Sequence, residues 1–147
     1  MKSRTLFYIA IGLLILGIAL FTFSTRTQEP VQVFPATINR DCAPWDGAAF
    51  TVRIPWKGGD VIDISIWQTP DIKFPKTFSF PDNTGQVGNA ILIHQVDVLE
   101  QLTGEVWFER VSEGKVVEGG FRLKGERGEV FEGRFTAEWG SQIVMCG

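Results

Sequence analysis

The sequence predicts an all-β domain, an antiparallel sandwich or partly closed barrel of about eight strands, preceded by one N-terminal transmembrane helix. Three observations carry that prediction. An uncharged run, LFYIAIGLLILGIALFTF, fills Leu6 to Phe23. Short apolar segments with period-two alternation follow it, separated by Gly, Pro, Asn and Asp. The chain contains 12 Phe, 5 Trp and 16 Gly, a composition that suits strands and tight turns better than helices.

At a rise of roughly 1.5 Å per residue, a helix over Leu6–Phe23 is about 27 Å long, close to the ~30 Å hydrocarbon core of a bilayer. Lys2, Arg4 and the free amino terminus precede the run; Arg26 is the only base just after it, and Glu29 follows. The positive-inside bias therefore places residues 1–5 in the cytoplasm and everything after the span on the extracytoplasmic side. An uncleaved signal anchor over residues 6–23 is the expected form, because a cleavable signal has an apolar core of about 7–15 residues and an A-x-A-like site. A cleaved signal peptide is the alternative. Gly12 and Gly17 lack the GxxxG spacing of a helix-dimer face. Residues 24–30 (STRTQEP) are polar and read as a linker. Fully extended, it reaches only about 25 Å, so a partner of the anchored form is expected in or near the same membrane.

Residues 31–147 are the expected extracytoplasmic β domain. From Pro30 onward there are 11 Lys and Arg against 16 Asp and Glu, a net charge of −5. That sign gives no electrostatic reason to bind nucleic acid. Cys42 and Cys146 lie near the two ends of this part. In an oxidising compartment they are expected to form a disulfide, with two unconnected buried thiols as the alternative. There is no CxxC and only one His, which argues against a metal or redox pair.

Val31–Ile38 is the first strand-like segment. Phe50–Trp56 alternates with its even positions apolar, and Pro55, which cannot donate to a ladder, ends it. Lys57-Gly58-Gly59-Asp60 is a turn. Val61–Trp67 follows, with Ile62, Ile64 and Ile66 on one face. Thr77–Phe80 is a short strand between Pro75 and Pro81, and Pro81–Gly85 a turn cluster. Ala90–Leu99 is apolar on both faces and reads as a central strand.

The last third holds a weak repeat: Leu102–Phe108, Val117–Leu123 and Phe131–Ala137 share the form apolar, polar, Gly, any, apolar, any, apolar. A spacing of one strand plus one turn implies three consecutive antiparallel strands. Val106, Phe108, Phe121, Leu123, Phe135 and Ala137 then face the core. Glu105, Trp107, Glu109, Glu118, Arg122, Glu132, Arg134 and Glu138 face away from it. A hairpin closed at Glu113-Gly114 sets Phe108 opposite Gly119, Trp107 opposite Gly120, and Glu105 opposite Arg122. It also sets Glu109 opposite Glu118, an unfavourable like-charge pair.

Motifs for catalysis are absent: no GxSxG and no HExxH occurs. His94 is the single histidine, and Asp97, three positions on, falls on the other face of a strand, so a half-buried strand histidine is the expectation. Asp82–Gly85 offers oxygen ligands but not a full calcium-loop signature, and reads as an Asx-type turn. Trp107 lies among charges on the outward face, and Trp67 lies opposite the Ile62, Ile64 and Ile66 face. Such an exposed ring resembles a carbohydrate or peptide platform; the alternative, and the commoner case, is that a second sheet or a long loop covers it. Trp45 and Trp139 lie near the cysteines in sequence.

These readings converge on a membrane-tethered extracytoplasmic interaction module, with Glu105, Trp107, Glu109, Glu118 and Arg122 as its candidate face and a protein or carbohydrate partner. One alternative is a small barrel holding an apolar ligand against Phe108, Phe121 and Phe135. A second is a hydrolase using Glu109 and Glu118 as paired carboxylates. No catalytic residue, metal ligand or cofactor is assigned, and an enzyme is not the expected outcome.

Overall fold

Period-two alternation builds nine strands and one 3-10 turn among the residues described by the computed structural model, which are 31–67, 72–82, 87–95, 98–141 and 144–146. The strands are β1 (Val33–Cys42), β2 (Ala48–Pro55), β3 (Val61–Trp67), β4 (Lys76–Phe80), β5 (Gly88–Ile93), β6 (Leu99–Gln101), β7 (Thr103–Arg110), β8 (Val117–Lys124) and β9 (Val130–Trp139). The 3-10 turn is Lys57–Gly59. Among the described residues no helix is long and apolar enough to cross a membrane. The expected helix over Leu6–Phe23 and the linker over residues 24–30 lie outside the described residues.

All nine strands belong to one sheet, in the order β4-β7-β8-β9-β1-β2-β3-β5-β6, curled into a half-barrel. Leu102 alone separates β6, at one end of that order, from β7, next to the other end. Its amide donates to Ala90 O at 2.9 Å. The chain thus carries one margin of the sheet round to the other.

Two strand expectations need correction. Ala90–Leu99 is not one strand but β5, a turn and β6, closed by His94 N donating to Val98 O at 3.0 Å. The pairing of β5 with β3 runs out at Ile93 opposite Val61, the first residue of β3. Beyond Ile93 a continued strand has no ladder to join, so the chain turns back and Leu99 pairs with Ile93 instead. The sheet is also not wholly antiparallel, since β1 and β9 run parallel. Its connectivity requires this. The walk β1-β2-β3-β5-β6 reverses direction at each step, β6 continues into β7, and β7-β8-β9 reverses twice more. An even number of reversals returns β9 to the direction of β1.

The expected inward residues Val106, Phe108, Phe121, Leu123, Phe135 and Ala137 are all buried. Phe108 lies at the centre of the core. Its ring meets Phe50 at 5.4 Å and Phe135 at 5.5 Å between centroids, with Phe78 and Phe74 beyond. These are the edge-to-face geometries that the aromatic quadrupole favours. Trp56 fills the other end of the core against Phe34, Phe121 and Phe131.

The expected disulfide is present. Cys42, the last residue of β1, is bonded to Cys146, 104 positions further along the chain, with 5.6 Å between Cα atoms. The pairings also sort the loops. The start of β1, the β2–β3 turn, the β5–β6 turn and the β8–β9 hairpin lie at one end of the sheet. The disulfide, the β1–β2 turn and the β7–β8 hairpin lie at the other.

Candidate functional site

The three-strand repeat builds the outer face of β7, β8 and β9. Cross-strand register aligns Thr77, Trp107, Gly120 and Arg134 in one row, and Ser79, Glu105, Arg122 and Glu132 in the next. Trp107 is half-buried, and its six-membered ring covers Gly120. A Cβ placed on Gly120 would stand 2.1 Å from Cζ2 of that ring and 2.5 Å from Cε2. Gly120 is therefore required here by the close approach of the indole. This is the aromatic-over-glycine arrangement used to stabilise sheets.

The expected pairings Phe108–Gly119, Trp107–Gly120 and Glu105–Arg122 are present in the register. The pairing of Glu109 with Glu118 is not. A β-bulge between Phe108 and Arg110 shifts the ladder by one residue, so that Arg110 stands opposite Glu118. Inserting one residue replaces a like-charge pair by an opposite-charge pair. Glu109, in the bulge, instead accepts a hydrogen bond from Nη2 of Arg134. Arg122, although opposite Glu105, turns the other way and donates through Nε and Nη2 to both oxygens of Glu132, at 3.1 and 3.0 Å. Sequence spacing alone gives the row but not the choice between two flanking carboxylates.

Of the candidate residues, Glu105, Trp107 and Arg122 are thus brought onto one face. Glu109 and Glu118 line a neighbouring depression of about 590 Å³ with Arg110, Lys115 and Val116. The two carboxylates are each accompanied by a base. Trp67 is half-buried and packs edge-on against Trp45 at 5.3 Å. Trp139 donates its indole N–H to Ser112 O at 2.9 Å and lines a small depression with Cys146.

A second constellation surrounds His94. Nδ1 lies 3.2 Å from Oδ2 of Asp60, in the residue that closes the β2–β3 turn, and Nε2 lies 3.2 Å from Oε2 of Glu100 on β6. Glu100 is buried, and its other oxygen accepts the backbone N–H of Glu126 at 2.7 Å, capping the β8–β9 hairpin. The Glu100 hydrogen bond, seconded by Asp60 and opposed by burial, raises His94 above its ordinary pKa of 6.5. The Glu126 amide, helped by His94 and Arg127 against desolvation, lowers Glu100 below its ordinary 4.5. His94 is half-buried, as expected, but it follows the end of β5 and sits in the β5–β6 turn rather than in a strand, with Asp60 and Glu100 beside its ring; Asp97 lies outside the described residues. Sequence reading misses this cluster because Asp60 is remote in the chain and Glu100 becomes a neighbour only once the β5–β6 turn is known.

Among the described residues no group of three or more His, Cys, Asp or Glu side chains has the geometry to hold a metal ion. The Asn83–Gly85 part of the Asp82–Gly85 turn lies outside the described residues. Comparison with protein-family models, with curated proteins and with solved structures finds no match.

Proposed function

We propose that the chain is a membrane-tethered extracytoplasmic binding module whose contact surface is the outer face around Trp107, and that its ligand is a neutral, hydroxyl-rich molecule such as a glycan. The observation that carries this reading is the half-buried indole laid over Gly120 and framed by two ion pairs, Arg122–Glu132 and Arg134–Glu109. Covering Gly120 fixes the ring on one side, and the ligand would stack on the side turned away from the sheet. The flanking Arg and Glu groups compensate one another's charge, which favours a neutral ligand over an ionic one. Their N–H and carboxylate groups still offer fixed donors and acceptors to sugar hydroxyls. The tether follows from the apolar run at Leu6–Phe23, and the oxidised Cys42–Cys146 pair is consistent with an exported domain.

The test is a titration of the full-length chain, solubilised in a neutral detergent, with cello- and chito-oligosaccharides. The readout is the Trp107 indole N–H resonance, assigned by its loss in Trp107→Phe. Saturable shifts of that resonance are expected, with no binding by Trp107→Ala and with cooperative melting retained in that variant. An unmoved resonance with every sugar overturns the glycan reading. A collapse of the melting temperature in Trp107→Ala overturns the surface reading, because it makes the ring part of the core.

A further inference from the structure

The His94 cluster is distinct from the outer face and has its own chemistry. An imidazole has two ring nitrogens, and only the cation carries N–H on both. Here each nitrogen meets a carboxylate, Asp60 on one side and Glu100 on the other. Carboxylates accept but do not donate, so both contacts are hydrogen bonds only while the ring is protonated. With both nitrogens occupied, the ring is not free to act as a general base.

Among the described residues, the other charged groups around it are few. Glu126 and Arg127 of the β8–β9 hairpin line the same depression, together with Val98 and Leu99. Glu129 of that hairpin reaches the spot beside Gly125 that Glu100 also approaches, and lies 3.6 Å from Arg127. Glu100 keeps a non-titrating donor, the Glu126 amide, whatever the state of the ring. Asp60 is the more exposed of the two carboxylates, 26% against 9% for the side chains. Water therefore solvates Asp60 readily once the ring lets go, and Asp60 is the partner to be released.

We propose that His94 is a proton-operated clasp. Its cation ties the β2–β3 turn to β6, and loss of one ring proton frees that turn while β6 stays fastened to the β8–β9 hairpin. One end of the half-barrel, the end at which the chain enters β1, is thereby made sensitive to the acidity of its compartment. The side chain of Gln95 donates to Gly58 O, a tie that does not titrate, so the turn loosens without unfolding.

Amide hydrogen exchange of the full-length chain in detergent, followed by NMR between pH 5.5 and 8.5 and corrected for intrinsic exchange, tests this. The reporters are the Trp56 amide, which donates to Asp60 O, and the Glu126 amide. Protection of Trp56 should fall roughly tenfold as the His94 ring resonance titrates, the scale of one charge-assisted hydrogen bond. Protection of Glu126 should stay constant. In Asp60→Asn the Trp56 amide should be poorly protected at every pH, and the His94 titration should move to lower pH. Constant Trp56 protection in the wild type overturns the proposal. So does a Trp56 response in Asp60→Asn equal to that of the wild type, and so does parallel loss at Trp56 and Glu126, which would mark general loosening.

Discussion

Gly120→Ala probes the outer face directly. The three atoms nearest to the added Cβ all belong to Trp107, at 2.1, 2.5 and 2.8 Å, well inside van der Waals contact. The methyl must therefore lift the indole by more than an ångström. Overpacking of this kind costs about 1–3 kcal/mol. Replacing Gly by Ala in a strand returns about 0.5–1 kcal/mol of unfolded-chain entropy. The net expectation is a loss of about 1–2 kcal/mol. In a Trp107→Ala background the obstacle is gone and only the gain remains, so the same substitution should stabilise by about 0.5–1 kcal/mol. Urea denaturation of the four chains of the cycle, at constant m value, measures the coupling. A Gly120→Ala effect of the same sign and size in both backgrounds would falsify the contact, and with it the idea that Gly120 holds Trp107 in place.

Phe108→Ala should cost about 3–5 kcal/mol by chemical denaturation, since the ring is fully buried and touches Phe50, Phe78 and Phe135; a loss below 1 kcal/mol would show a core able to collapse around the gap. Reducing Cys42–Cys146 releases a loop of 104 positions, for which the chain-entropy model gives an upper figure of about 4–5 kcal/mol; equal denaturation midpoints with and without reductant would contradict it. The pH dependence has two signs. His94 is raised above 6.5, so its contribution is complete below that pH and fades as pH climbs through the raised value. Glu100 is lowered below 4.5, so its contribution is complete above that pH and fades as pH drops through the lowered value. Melting curves should place this cluster's plateau between about pH 4.5 and 6.5, and His94→Gln should remove the alkaline slope selectively.

Features written locally in the chain are legible from sequence. The alternation in Val61–Trp67 marks β3 with its observed bounds, and the Gly-centred repeat fixes both the faces and most of the β7–β8 register. What depends on remote partners is not legible. The end of β5 is set by where β3 begins, and the parallel β1–β9 pair by the number of reversals between them. The bulge at Glu109 answers a conflict that is visible on paper, Glu109 against Glu118, but the alternation rule contains no means of resolving it. On the candidate face the residues are legible and their partners are not. Arg122 had two carboxylates in reach and took Glu132. The His94 cluster requires a turn, an edge strand and a hairpin to converge, and no local pattern announces that.

The parallel first and last strands, bolted at one end by the Cys42–Cys146 bond, also set how the domain bears a pull. Tension applied between the entrance to β1 and the carboxyl end would run along β1, cross the sulfurs and leave through Cys146. The covalent path would bypass β2 to β9 altogether. Because β1 is already extended and is held at both ends of that path, the hydrogen bonds that flank it would carry little of the load. A domain wired in this way can be tugged at both ends while the outer face of β7, β8 and β9 stays off the line of force.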